Sequence, residues 1–404
     1  MGPTTSTGLT PATRWFLLVA TAVLSSGLGL VFPLLAEFQD RFGFSTASLG
    51  LLSGSAFLAA LVSGLFLSGL ADRGHCRALL VAGALMCAAS LMWVAVGTEL
   101  WQLVGARVLE GLGFGLFTPA VRKVMTTDDP AQAGHMLGRL VSAELAGLLV
   151  GPALGAGLAA VFSLRVPFVA VGSCVLVIAV LLAWWPLPPV ARSADRRHSF
   201  TASLRLARTP KAMGTALLSL ALFLPVGIYD SLWARYLSDR GASTFFIGLT
   251  LSLYSVPIVL TAPLGGRFAD RVGPVRAATG AMCLIVPLTV LYGSLRWPVA
   301  IAALAVLEAF PQAVASPAVQ SAMLRAGPPD EVAAGQGLIN SLNEFGGAVV
   351  GFLAPVGYAF LGPSWLLALA GAGMAVVFAL GLLLVRRGNR TELVADTLGT
   401  PVVP

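Results

Sequence analysis

The chain has 404 residues, 57% of them hydrophobic and 11% charged, with a formal net charge of +7. A soluble domain carries about 25% charged residues, so a chain this apolar cannot clothe a water-facing surface and takes the bilayer as its solvent. The positive charge does not point to nucleic acid, because the arginines fall in short loops between apolar runs, which is a topology signal.

Residues 1–13 are polar and rich in Thr and Pro, and Arg14 precedes the first long apolar run. No small-residue cleavage site ends that run, so it reads as a retained first span rather than a signal peptide. A span needs about 20 apolar residues. Twelve are predicted: 15–36, 46–70, 78–97, 100–122, 135–160, 165–186, 212–237, 244–267, 276–294, 298–323, 333–360 and 364–385. The connections are short except for 187–211, a basic linker with Pro186, Pro188 and Pro189 followed by Arg192, Arg196, Arg197, Arg205, Arg208 and Lys211. The expected organisation is a tail (1–14), a six-helix bundle (15–186), the linker (187–211), a second six-helix bundle (212–385) and a tail (386–404).

Of the 25 lysines and arginines, Arg41, Arg165, Arg240 and Arg296 fall outside if the amino terminus is inside. Arg107, Arg139 and Arg235 lie within spans or near their ends, and the rest lie inside. This asymmetry places both termini in the cytoplasm. Cys87, Cys174 and Cys283 fall inside spans and Cys76 in a loop. None has metal-ligand spacing, so they read as small packing residues and no metal is expected.

The two halves repeat. Leu70-Ala-Asp72-Arg73 returns as Phe268-Ala-Asp270-Arg271, Val108-Leu-Glu110 as Val306-Leu-Glu308, and Pro119-Ala-Val121 as Pro317-Ala-Val319. Glu144 before Gly147 returns as Glu344 before Gly347. Six-span repeats entering from the same side imply a site between them near the midplane and alternating access by rocking. In span five, Gly147-Leu-Leu-Val-Gly151-Pro152-Ala-Leu-Gly155 sets a helix-bending proline in a ridge of glycines. Proline removes a backbone hydrogen bond and bends the helix, while the glycines let a neighbour press close. The combination reads as a gate that also seals.

These features resemble the major facilitator superfamily over essentially the whole chain. Its loop motif is kept in Gly266-Arg-Phe-Ala-Asp270-Arg271-Val-Gly273-Pro-Val-Arg276. The first copy departs from it, with Ser68 in place of Gly and the second Gly shifted to Gly74, but keeps Asp72, Arg73 and Arg77. Arg107-Val-Leu-Glu110-Gly111-Leu-Gly113 is similar to the buried-arginine motif that the family associates with proton coupling. With the Gly-Pro stretch, the chain looks like the twelve-span drug:proton antiporters. The resemblance implies an all-α membrane protein of two pseudo-symmetric six-helix bundles that acts in multidrug efflux across the cell inner membrane.

Each ionisable group inside a bilayer costs at least ~2.5–3.5 kcal/mol and is a functional candidate by default. Glu110, Glu144, Glu308 and Glu344 sit near the middle of their spans, with Asp230 shallower. Glu110 lies three residues after Arg107, on the same helix face, so the two can pair. They read either as a structural ion pair or as a protonation switch. Glu308 has Ala305 where Arg107 stands, so it is unpaired within its own helix and ranks above Glu110 as proton carrier. Gln336, Asn340, Asn343 and Glu344 make a polar stripe on span eleven, as a site lining or as hydrogen-bond glue between helices. Glu144 shares a face with Gly147 and Gly151, at a helix contact.

Asp230 and Arg235 are about 140° apart around their helix and are not expected to pair; Arg235 reads as snorkelling outward. Glu37, Asp40 and Arg41 read as solvated. Asp72 and Asp270 read as loop latches on the positive end of a following helix. Phe57, Phe114, Phe117, Trp233, Tyr254 and Phe310 could line a permissive cavity, with Gln312, Asn340 and Asn343 as polar candidates; Gln312, Gln320, Asn340 and Asn343 together are the set a sugar site would use.

No Gly-x4-Gly-Lys-Ser/Thr loop is present, so ATP-driven pumping has no support, and no nucleophile–base constellation marks an enzyme. No cofactor is implied. Five carboxyls at depth against one deep arginine favour a neutral or cationic substrate. The function expected is proton-coupled export of small lipophilic compounds by a monomer whose partners are its substrate, protons and the bilayer. Transport of a defined metabolite such as a sugar, lipid transport, and a non-transporting receptor or assembly role are the alternatives.

Overall fold

A computed structural model describes residues 9–66, 74–127, 133–187, 198–327 and 332–398. Helix α1 (Pro11–Val31) starts where Thr10 accepts the Thr13 N–H and Pro11 takes the first turn, which has no need of its missing donor. Pro33 interrupts the helix in a 3-10 turn, Phe32–Leu34, and α2 (Leu35–Phe42) continues the first crossing to Gly43 at φ 70°. Then come α3 (Thr46–Phe66), α4 (Cys76–Val96), α5 (Leu100–Thr127), α6 (Ala133–Val161) and α7 (Val166–Trp184).

The linker is more than a tether. It holds α8 (His198–Arg208), a short helix with Arg205 and Arg208 in its last turn. Next are α9 (Pro210–Ser238), α10 (Thr244–Val272), α11 (Pro274–Tyr292) and α12 (Pro298–Leu324). The last helical segment, α13 (Val332–Leu398), breaks at Gly362, whose φ of 78° only glycine adopts without strain, with Pro363 following.

Ten described stretches are long and apolar enough to cross a membrane. The 28-residue α5 is as long but carries Arg107, Glu110, Arg122 and Lys123. Counting α5, and α13 as two limbs about Gly362, gives twelve crossings among the described residues.

The chain forms two compact units. The first gathers Met1–Arg196 with Trp233–Ser238 and Ala242–Ser255; the second gathers Arg197–Leu232, Asp239–Gly241 and Val256–Pro404. Alanine is the most frequent residue in the core of the second, as at Ala212, Ala216, Ala278, Ala315 and Ala318. Small residues at contacts are how membrane helices gain close packing where no hydrophobic drive separates protein from lipid.

Candidate functional site

In the first unit, the Gly-Pro ridge of α6 lies directly on α1. A Cβ added at Gly147 would stand 2.2 Å from the Ala22 carbonyl oxygen, and one at Gly151 2.4 Å from that of Ser26. At Gly155 it would stand 2.8 Å from the Leu30 Cβ. The Cβ vector alone therefore fills the gap, and the spacing of four keeps all three contacts on one face. The opposite partner of this helix is the start of α10. Gly248 approaches the Pro152 carbonyl to 2.5 Å for an added Cβ, and Ser252 Oγ accepts the Ala153 N–H at 3.1 Å. The backbone disturbed by Pro152 is thus answered by a side chain from another helix.

Arg107 and Glu110 of α5 form a buried ion pair, 2% and 3% exposed. Arg107 Nε also donates to the Leu52 carbonyl at 3.2 Å, and its guanidinium lies 5.9 Å from the Phe32 ring centroid. Glu144 takes a partner that its own helix does not offer: Arg122 of α5 donates to it at 3.4 Å. Arg235 does not simply snorkel, nor is Asp40 simply solvated. Arg235 donates to Asp40 at 2.5 Å, and beside them Thr244 donates to Glu37 at 3.2 Å. The sequence conceals this pair because its members are 195 positions apart.

In the second unit, Glu308 of α12 is fully buried at 0% exposure. Tyr229 of α9 and Tyr292 of α11 each donate a phenol hydrogen to its Oε2 at 2.6 Å. Its Oε1 has no hydrogen-bond partner among the described residues. Glu308 is therefore unpaired within its helix but held from two others. Both tyrosines escaped the sequence reading. The available signal was their scarcity and place: the chain has five tyrosines, and a phenol buried in an apolar span needs a hydrogen-bond acceptor.

Asp230 is 5% exposed, and Glu344 is half-buried. Asn343 donates to Ser219 at 3.2 Å and Gln312 to the Leu222 carbonyl at 3.0 Å, whereas Asn340 is exposed.

The aromatic candidates divide. Trp233 is buried, its indole N–H donating to Thr250 at 2.9 Å, and Phe117 is buried too. Phe57, Phe114 and Tyr254 are half-buried, and Phe310 is exposed. In the loop motif of the second half, Asp270 accepts from Arg325 at 3.4 Å, with both side chains and Arg271 exposed. Gly273 has φ 101°, a turn only glycine enters readily. The glycine in close helix contact is not the motif's own Gly266, which has 3.8 Å to Pro317, but its neighbour Gly265, 2.5 Å from the Ala313 oxygen for an added Cβ. Asp72 and Arg73 lie outside the described residues, as do Arg192, Arg196 and Arg197. No cluster of three or more His, Cys, Asp or Glu able to hold a metal occurs among the described residues.

Apolar crossings, buried carboxyls held by other helices, and a proline-containing helix packed closely through its glycines are the marks of a multi-pass membrane protein. The family model of the Major Facilitator Superfamily matches residues 17–236 and 215–400, and the chain belongs to that superfamily. Among curated relatives, the multidrug resistance protein MdtG of Salmonella arizonae is 26% identical over 316 residues, 74% of this chain and 77% of the relative. MdtG of Citrobacter koseri is 26% identical over 316 residues, 74% of this chain and 76% of the relative. Among solved structures, a bacterial homolog to the human lysosomal transporter Spinster, in an inward-facing and unoccupied conformation, superposes with a TM-score of 0.80 at 15% identity. The match covers 96% of this chain and 98% of that one. The nucleoside transporter NupG does so with a TM-score of 0.76 at 13% identity, over 92% and 98% of the two chains. These likenesses establish the fold.

Proposed function

We propose that the protein is a proton-coupled antiporter that exports small lipophilic neutral or cationic compounds by alternating access. The observation that carries this reading is Glu308. It is a fully buried carboxyl in a crossing helix, held by two phenols and paired with no lysine or arginine among the described residues. Keeping an ionisable group at such depth costs at least ~2.5–3.5 kcal/mol, and reversible uptake of a proton gives that cost a purpose. Glu344 is the second carrier candidate and Glu110 with Arg107 the third; Glu144 and Asp230 follow. The Gly-Pro ridge packed on α1 is the gating element, with Asp72 and Asp270 as loop latches.

The multidrug resistance proteins to which the chain is similar support export. A sugar site draws less support, because the amide donors of Gln312 and Asn343 are already engaged by Leu222 and Ser219. The half-buried Phe57, Phe114 and Tyr254 are the contacts proposed for a permissive cavity. The protein is taken to act as a monomer in the cell inner membrane with both termini cytoplasmic.

The test is transport in proteoliposomes with an imposed pH gradient, screened over dyes, sugars and lipids. Gradient-driven accumulation of lipophilic cationic dyes, abolished by a protonophore, is expected. Movement of sugars alone, or dye movement indifferent to the gradient, would refute the reading. Cysteines placed at Arg208 and Ala242 test the orientation: the first should label only from the cytoplasm and the second only from outside.

A further inference from the structure

We propose that the amino-terminal ends of α1 and α6 form a binding site for an anionic glycerophospholipid, in which Arg139 takes the phosphate and Trp15 holds Arg139. The Arg139 guanidinium lies over the Trp15 ring, 5.2 Å from its centroid. At that distance the ring face attracts the cation and fixes its plane. A guanidinium carries five N–H donors, and stacking uses none of them. Among the described residues, no carboxylate pairs with Arg139 and no acceptor takes its hydrogens. Trp15 itself is 61% exposed. A half-buried cation whose donors no described residue takes, pinned on an exposed indole, suits an oxyanion.

The surface leading away from this pair is built for a hydrocarbon chain. On α6 the Arg139 face continues through Ser142, Ala146 and Val150 at helical spacing. The Ser142 hydroxyl is turned onto the Gly138 carbonyl of its own helix at 3.0 Å, Ala146 is exposed, and Val150 is 53% exposed. On α1, Val19 lies one turn beyond Trp15 and is also 53% exposed. A planar cation at one end with apolar surface running from it matches a phosphate ester bearing acyl chains. A free anion would use only the first part.

The charge selects among lipids. Arg14 adjoins Trp15, close to the positive end of α1. A phosphate whose charge is not cancelled by its own headgroup gains most from this setting. Arginine also grips a phosphate through two parallel hydrogen bonds, which lysine cannot do.

The site is independent of what the protein transports, and its test needs no substrate. Purified full-length protein is equilibrated with equal amounts of phosphatidylglycerol and phosphatidylcholine of the same chain length, and retained lipid is read by native mass spectrometry. The wild type should retain phosphatidylglycerol in preference. Arg139→Gln should lower that preference roughly fivefold, as expected for one basic residue at an anionic surface. Arg139→Lys keeps the charge without the planar fork and should fall between; it also serves if the glutamine variant fails to fold. Excess inorganic phosphate should leave the bound lipid in place. Equal retention of the two lipids by the wild type, or wild-type preference in both variants, overturns the proposal. Displacement by inorganic phosphate also overturns it and would make this a site for soluble anions.

Discussion

Tyr229 and Tyr292, from two different helices, donate to the same carboxyl oxygen of Glu308, each at 2.6 Å, with their rings edge to face at 6.4 Å. Each phenol is thereby satisfied in a place without water, and Glu308 is fixed against rotation. A buried group that loses its partner costs about 1–3 kcal/mol. Tyr292→Phe and Tyr229→Phe should each lower the thermal unfolding midpoint in detergent. Tyr292→Phe should lower it more, because Tyr292 is fully buried whereas the Tyr229 bond is only partly so. Unchanged midpoints in both would mean that the hydroxyls do not hold Glu308.

The ridge on α6 should reject bulk in proportion to its gaps. Gly151→Leu and Gly147→Val should abolish transport while protein still reaches the membrane, since the first Cβ already meets a carbonyl at 2.4 and 2.2 Å. Gly157→Ala is the control, with 3.9 Å to Phe245. The same contrast applies in α10: Gly265→Ala should impair folded yield and Gly266→Ala should not. Size-exclusion yield and transport of the five variants check this.

Glu110→Gln should reduce expression as well as transport. It leaves the Arg107 guanidinium buried at 2% exposure opposite a neutral amide. Breaking a buried pair from one side costs roughly 3–5 kcal/mol. The Arg107→Gln/Glu110→Gln double variant should recover yield relative to Glu110→Gln. Failure to recover would show that Arg107 acts through contacts other than the pair.

The Asp40–Arg235 pair is more exposed, at 59% and 24% of the two side chains, and should contribute little to stability. A double-mutant cycle to alanine is expected to give a coupling of about 0.2–1 kcal/mol, falling with added salt. A larger, salt-insensitive coupling would mean the pair is shielded from solvent.

The fold was legible because the bilayer forces a simple code: about 20 apolar residues per crossing, basic loops and a strict repeat. The Arg107–Glu110 pair was legible because its members are three apart on one helix. Long-range partners were not. Nothing local ties Tyr292 to Glu308, Arg122 to Glu144 or Arg235 to Asp40, since each pairing depends on how separate helices are set side by side. Helix periodicity marked the Gly147 ridge but could not say that Ala22, Ser26 and Leu30 form its counterface. The break at Gly362 agrees with the sequence division between 360 and 364, while α8 was hidden in a linker read only for its charge.

The central claim is that Glu308, seconded by Glu344, carries the proton that drives export. The most direct measurement is substrate accumulation against its gradient in proteoliposomes, driven by an imposed pH difference, for Glu308→Gln, Glu344→Gln and the double variant. Glutamine keeps the shape of the side chain but cannot release a proton. The double variant should bind substrate and exchange it downhill, yet fail to concentrate it or to release protons on substrate binding. A double variant that still concentrates substrate at the expense of the pH gradient would contradict the claim and pass the role to Glu144 or Asp230.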